Sequence, residues 1–357
     1  MKDAKNKLIN DTGLKVYFVS QLPVNRFLFL SVLNTYYCFF CIFLFTIFNK
    51  INFIHCHGLN AARPSIIIKK ILKRVKVVFN VHGATPEERL YGNPSTPKKW
   101  ILNLEKDELL ALKFSDGVIF VSDSLKNHYI DKYKIKFDHS IIIPCLFENI
   151  INLNYNKVIQ NREKLNLNNK IVFIYVGSYR NYQLPYETLK FFCDLKDVFE
   201  NAFLIILTSH INQFSELANR IKISQECYFI KQVKHSEISE FIGLADFGLL
   251  LRENIVVNNV ASPTKFGEYL SCGVPIIMSE HIGDYSEITT LENLGIVLKN
   301  NYFESKLKNE INIIINKRMD YFERSVDFAK SKLTWNENYH EQLTKFYLRF
   351  INEKNNN

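Results

Sequence analysis

No Asp-x-Asp pair occurs anywhere in the 357 residues, so a divalent cation has no evident anchor and no metal site is expected. There is no arginine-rich arm and no nucleic-acid motif. The basic residues are scattered, and no nucleic acid is expected as a partner. The polar, charged start does not read as a signal peptide. Internal repeats are absent, and low-complexity sequence is confined to asparagine-rich stretches. The seven cysteines (38, 41, 56, 145, 193, 227 and 272) are odd in number and lie mostly in apolar runs. That excludes a disulfide framework and fits thiols in a reducing cytosol. Cys38-x-x-Cys41 with His55-Cys56-His57 has a zinc-like composition, but it falls within a continuous apolar helical pattern, which is the stronger reading.

What is present is a large apolar complement, 47% of residues, and a formal charge of +9 with a sequence pI of about 9.0. Such a chain holds two domains and favours anionic partners, either nucleotide phosphates or an anionic membrane surface. The run from Phe27 to Phe48 has about the apolar length that spans a bilayer. Asn34 and Thr35 interrupt it and no basic cluster flanks it closely, so a helix buried in its domain is expected. A helix lying on a membrane surface is the alternative.

Short apolar strands alternate with helices along the chain. Strands are expected at Lys15–Ser20, 52–58, Lys76–Val81, Gly117–Val121 and 141–144, with a basic helix over 60–73 and an amphipathic one over 98–113. Pro86, Pro94 and Pro97 mark residues 84–97 as a loop, and Ser122 caps the helix after it. The asparagine-rich stretch 149–169 reads as a domain junction. A second series follows, with strands at 171–177, Phe203–Leu207, Cys227–Ile230, Phe247–Leu251, 274–278 and 295–298. The expected fold class is α/β, two parallel sheets each covered on both faces and binding ligand at their strand carboxyl ends. The expected domains are 1–150, 151–335 and a C-terminal helix with polar tail over 336–357. Residues 1–14 carry no apolar run long enough for a central strand, so the first sheet is expected to lack its opening strand, as in a chain truncated at its N-terminus.

The most informative stretch is Ser262-Pro263-Thr264-Lys265-Phe266-Gly267-Glu268-Tyr269-Leu270-Ser271-Cys272-Gly273-Val274-Pro275. Ser262 suits an N-cap and Pro263 the first helical position. Phe266, Tyr269 and Leu270 form one buried stripe, and Gly273 ends the helix before a buried strand. Lys265 and Glu268 lie off that stripe near the helix start. Free amides with a lysine suit a diphosphate, and a glutamate one turn further in can accept two hydrogen bonds from a ribose diol.

SPTKFGEYLSCGVPII resembles the donor-site helix of the group 1 glycosyltransferases of GT-B fold, which use nucleotide sugars and retain anomeric configuration. The resemblance implies two doubly wound Rossmann-like domains facing each other across a cleft, with C-terminal helices packing back toward the first. It implies that Glu268 holds the donor ribose and that the helix start Ser262-Pro263-Thr264-Lys265 faces the diphosphate. On the donor side Gly177, Ser178 and Arg180 follow a buried strand, and Val233 falls where relatives bind the base through backbone atoms. Ser178 and Gln183 occupy positions where the family usually has a small or basic residue and a lysine. Charge must then come from Arg180, Lys265 or Arg252. Val260 stands where many relatives carry a second glutamate, which leaves Glu253 as the candidate for its role. Asp246 matches a structural position that braces a strand. On the acceptor side His57-Gly58 and His82-Gly83 end buried strands, and the family places a histidine at the position of His82 near the reaction centre. Glu87 and Glu88 follow where an acceptor hydroxyl would be oriented. The catalytic candidates are thus His82, Lys265 and Glu268.

The implied activity moves a sugar from a nucleotide donor to a saccharide acceptor, lipid-linked and destined for a bacterial surface polysaccharide. It needs no cofactor and takes place in the cytoplasm or on the inner face of the membrane. The rival readings are an inactive or truncated relative serving as a non-catalytic partner, and a nucleotide-sugar epimerase of the same fold.

Overall fold

The computed structural model describes residues 28–148, 153, 155–299, 301 and 303–352. The expected strand at Lys15–Ser20 and the expected gap in place of an opening strand lie outside the described residues. Two compact units are present. The first holds the described residues up to Asn80 together with Lys106–Gly117, and the second holds Val81–Glu105 and the described residues from Val118 onward.

In the first unit, α1 (Leu28–Phe48) precedes β1 (Phe53–His57), α2 (Leu59–Ile71) and β2 (Lys76–Val81). β1 and β2 pair in parallel, with Cys56 opposite Phe79. β2 is buried at Val77, Val78 and Phe79 because its Val-Val-Phe run is covered on both faces. The burial expected of the apolar helix is corrected here. Of its side chains described, 37–48, Thr46 is the one buried, while Phe40 and Phe48 are 55% and 77% exposed. The helix is apolar all round in sequence and, among the described residues, packs on α2. Among the described residues no helix is long and apolar enough to cross a membrane.

The 84–97 loop is also corrected, since α3 (Thr85–Gly92) forms within it. Pro86 lies in the first turn, where a missing N–H costs nothing, and Glu87 and Glu88 complement the positive helix end. Then come α4 (Lys98–Phe114), β3 (Gly117–Phe120), α5 (Asp123–Tyr133) and β4 (Ser140–Ile142), with β3 and β4 parallel. Ser122 caps α5 as expected, its Oγ accepting from the Leu125 N–H at 3.0 Å. Asp116 accepts from the Val77 N–H at 2.8 Å and pairs with Lys69 and Lys76, so it pins the turn before β3.

The second sheet is six-stranded and wholly parallel. After α6 (Tyr155–Lys164), which forms inside the expected junction, come β5 (Ile171–Val176), α7 (Pro185–Val198), β6 (Ala202–Leu207), α8 (Ile211–Ile221) and β7 (Tyr228–Lys231). They are followed by α9 (Ile238–Ile242), β8 (Phe247–Leu250), α10 (Val256–Asn259), α11 (Thr264–Ser271), β9 (Ile276–Ser279), α12 (Tyr285–Leu291) and β10 (Gly295–Leu298). The strand order is β10-β9-β8-β5-β6-β7. The order therefore reverses between β5 and β8, which opens a crevice beyond their carboxyl ends. Asp246 braces the start of β8 as expected, accepting from the Val172 N–H at 2.8 Å and pairing with Arg162 and Arg318.

α13 (Ser305–Asn316), α14 (Arg318–Lys332) and α15 (Glu337–Asn352) end the chain. α15 packs on β4, with Phe350 edge-on to His139, so the last helix returns to a strand from the early part of the chain.

Candidate active site

α11 forms for the reasons its sequence gives. Phe266, Tyr269 and Leu270 are fully buried, and the Tyr269 hydroxyl reaches across to accept from the Val176 N–H at 3.0 Å. Gly273 has φ +71, and the Gly273 and Val274 N–H groups close back on Leu270 and Tyr269 at 2.9 and 3.0 Å. That is a left-handed helix stop, and a side chain at 273 would run into the Phe322 ring. The start of the helix differs from expectation. Pro263 occupies the cap position and Thr264 is the first helical residue. Ser262 does not cap the helix because its hydroxyl is used elsewhere, accepting from the Cys145 N–H at 3.0 Å and bonding the Tyr285 hydroxyl at 2.8 Å.

Six of the residues singled out in the sequence line one cavity of about 660 Å³: His82, Glu88, Arg180, Arg252, Ser262 and Pro263. Its size is that of a small-molecule site. Arg180 comes from the turn after β5 and Arg252 from the end of β8, the two strands that flank the reversal of strand order. Arg252 is 7% exposed, its guanidinium lies over the Tyr182 ring at 5.2 Å, and its Nη1 is buried without a hydrogen-bond partner. Burial pushes the guanidinium below its usual range. Lys265 is half-buried and is also pushed down, first by burial and then by the Arg252 charge, with Glu268 opposing. Neither cation makes an ion pair among the described residues. Two unpaired, partly desolvated cations of the same sign attract an anion.

Gly177, Ser178, Val233, Glu253, Thr264, Lys265 and Glu268 are not among the residues that line the cavity. Glu268 is half-buried one turn after Lys265, and Thr264 is exposed at the helix start. Gly177 is required by packing, since a side chain there would meet Gln183 and the Tyr175 hydroxyl. The Ser178 carbonyl accepts from that hydroxyl at 3.0 Å. Gln183 is buried and accepts from the Tyr175 hydroxyl at 3.0 Å, so the family's usual lysine position is a neutral structural contact. Val233 is half-buried against the core of the second sheet. Glu253 accepts a hydrogen bond from the Tyr91 hydroxyl at 2.5 Å. Burial first, then this bond, raises the phenol well above its usual range.

On the acceptor side His82 is exposed into the cavity. Gly83 carries the close approach of the Glu88 carboxyl. Glu87 does not line the cavity. It binds Lys132 at 2.7 Å and His128 at 3.3 Å. Burial alone would raise its carboxyl, but these hydrogen bonds and the Lys132 charge outweigh that and hold it at about 2. His57 stacks on His55 at 4.5 Å in the first unit, and Gly58 there takes φ +74 at the start of α2. Sequence reasoning did not find Tyr91, Tyr182 and Asn258, which also line the cavity. Tyr91 fell in a presumed loop, and the only sign of Tyr182 was its place in Tyr-Arg-Asn-Tyr after a strand. Among the described residues, no group of three or more His, Cys, Asp or Glu could hold a metal ion.

Parallel sheets with reversed strand order define a doubly wound α/β protein, with Arg180 and Arg252 lining the cavity at the reversal. The family is narrower. Residues 15–147 match the model of Glycosyltransferase Family 4, and residues 157–332 match that of Glycosyl transferases group 1. The chain belongs to the group 1 glycosyltransferases. No curated protein sequence matches it. Among solved structures it is similar to Anabaena HepE in complex with UDP, with a TM-score of 0.72, 14% identity and coverage of 95% of this chain and 89% of HepE. A glycosyltransferase from Rickettsia africae gives a TM-score of 0.69 at 14% identity, covering 97% of this chain and 87% of that one. WaaG, a glycosyltransferase involved in lipopolysaccharide biosynthesis, gives 0.53 at 14% identity, covering 73% and 75%. These likenesses show the GT-B fold.

Proposed function

We propose that this glycosyltransferase moves a sugar from a nucleotide-sugar donor to a saccharide acceptor, lipid-linked and bound for a surface polysaccharide, with retention of configuration and without a metal. The observation that carries this reading is Arg252, a buried cation without an ion pair that lines the β5/β8 crevice together with Arg180 and with Ser262 and Pro263 from the start of α11. HepE binds UDP and, in a second complex, UDP-glucose, which supports a nucleotide sugar as the anionic ligand. WaaG's role in lipopolysaccharide biosynthesis supports the lipid-linked acceptor.

In this reading Glu268 accepts from the ribose diol, and Arg252, Lys265, Arg180 and the helix amides face the diphosphate. During transfer the bond from the anomeric carbon to the diphosphate oxygen breaks and the acceptor oxygen bonds to that carbon. The acceptor's proton leaves with the departing nucleoside diphosphate. Negative charge grows on the leaving group, and fixed cations already aimed at it lower the barrier without a metal. The test is Glu268→Ala. Losing two hydrogen bonds to a diol should weaken donor binding by about 2–3 kcal/mol while the unfolding transition stays in place. Wild-type donor affinity in this variant would remove the assignment. Excess chelator should leave wild-type turnover unchanged, and a loss restored by magnesium or manganese would overturn the metal-free mechanism. The first unit would sit on the cytoplasmic face of the membrane, through the exposed apolar side chains of α1 and the basic end of α2.

A further inference from the structure

Two neighbouring glutamates on the first turn of α3 have opposite surroundings. Adjacent helical residues point about 100° apart, so at most one of them faces any given wall. Glu87 is turned to α5 and held there by Lys132 and His128. Glu88 faces the cavity, where among the lining residues it is the one acid, beside His82. It is exposed and forms no ion pair with Arg180 or Arg252, although both line the same cavity. Its carboxyl lies directly over the bare Cα of Gly83, at a spot where any side chain on residue 83 would displace it. The Gly83 carbonyl is itself held by the Tyr129 hydroxyl at 3.1 Å, so the backbone beneath the carboxyl is fixed. An unpaired acid on the α3 wall does not suit the diphosphate, which needs the cations at the ends of β5 and β8. It does suit a neutral polyol, whose hydroxyl donates to a carboxylate.

We propose that Glu88 is the acceptor-side catalytic residue: its carboxylate accepts from the attacking hydroxyl of a saccharide acceptor, holds that oxygen toward the donor sugar, and takes up its proton as the new bond forms, the proton then passing on to leave with the nucleoside diphosphate. This rests on the glycosyltransferase reading above. It narrows the acceptor role, expected of Glu87 and Glu88 together, to Glu88 alone. The two carboxyls are also driven apart electrostatically: although Glu88 as a whole is exposed, its carboxyl is pressed against Gly83, and this loss of water and then the Glu87 charge raise it, while Glu87 is held low. Paired carboxyls pushed in opposite directions mark a division of roles. Here Glu87 anchors α3 to α5, and Glu88 works in the cavity.

The experiment uses the full chain with water as the acceptor. UDP-glucose, UDP-galactose, UDP-N-acetylglucosamine and GDP-mannose are ranked by thermal shift on the wild type. The strongest is then used to measure nucleotide affinity and slow release of sugar into water. Glu88→Ala should reduce release at least tenfold, and Glu88→Gln, which keeps shape and a carbonyl acceptor, should reduce it less. Nucleotide affinity should stay within twofold in both. Wild-type release in Glu88→Ala overturns the proposal, and so does a fall in affinity that accounts for the lost turnover. A wild type that binds none of the four, or binds one without releasing sugar, removes the glycosyltransferase reading itself and the role of Glu88 with it.

Discussion

Replacing Glu87 by glutamine tests how α3 is held, and its magnitude follows from the surrounding charges. The Glu87 carboxyl is held at about 2 in the folded chain against an ordinary 4.5. Each pH unit of such a gap is worth about 1.4 kcal/mol, so ionisation of this one group is linked to about 3 kcal/mol of folding stability. The side chain keeps 22% of its exposure, and water weakens the pairing accordingly, so about 2–3 kcal/mol is expected. The sign is fixed by the direction of the gap. A carboxyl depressed on folding stabilises above its unfolded value, and the benefit disappears as pH falls from about 4.5 toward about 2. Urea unfolding of wild type and Glu87→Gln should therefore differ by about 2–3 kcal/mol at pH 7, and the difference should shrink steadily below pH 4.5. Lys132→Met should cost a similar amount, and the double variant less than the two singles added together. A difference under about 0.5 kcal/mol at pH 7, or one that does not change with pH, would refute the reasoning.

Arg252→Met removes a buried, unpaired cation and keeps a long flexible apolar stem in its place. Such a charge is costly to the empty protein. The variant should unfold at a higher temperature than wild type while losing at least tenfold in nucleotide-sugar affinity, and a lower unfolding temperature with affinity intact would reverse the assignment. The first unit should sediment with anionic vesicles at low salt and be released at high salt. Ile67 and Ile71 on α2 and Phe48 on α1 are exposed near Lys70 and Lys73, and basic residues near an anionic leaflet contribute about 1 kcal/mol each. Lys70→Glu with Lys73→Glu should abolish sedimentation, and no binding by the wild type at either salt would refute this contact.

Much of the fold was legible because it is written in local periodicity. Runs such as Ile171–Val176 and Phe247–Leu250 are apolar throughout, which in a chain of alternating strands and helices means parallel strands covered on both sides. The stripe Phe266, Tyr269, Leu270 and the stop at Gly273 are likewise properties of a few neighbouring residues. Ser122 was readable for the same reason, since a helix cap depends on the chain close by, whereas Asp246 was placed by the family resemblance and its partners Val172, Arg162 and Arg318 all lie far from it in the chain.

Other features depend on partners far away in sequence. Ser262 has the right chemistry for a cap, yet Cys145 and Tyr285 claim its hydroxyl from 117 and 23 residues away. The Phe27–Phe48 run reads as core, but apolar composition does not specify how many sides of a helix will be covered, and in its described part Tyr37, Phe40, Phe45, Ile47 and Phe48 are exposed while Thr46 is buried. Gln183 marks where the usual lysine is missing, while the cation that enters the same crevice arrives on β8, some 70 residues later. Glu87 and Glu88 are the same residue type, one position apart, and nothing local separates them. The tertiary structure does so by bringing Lys132 and His128 of α5 to one carboxyl and leaving the other over Gly83 in the cavity, because a half-turn of helix can present only one of two neighbours to a given wall.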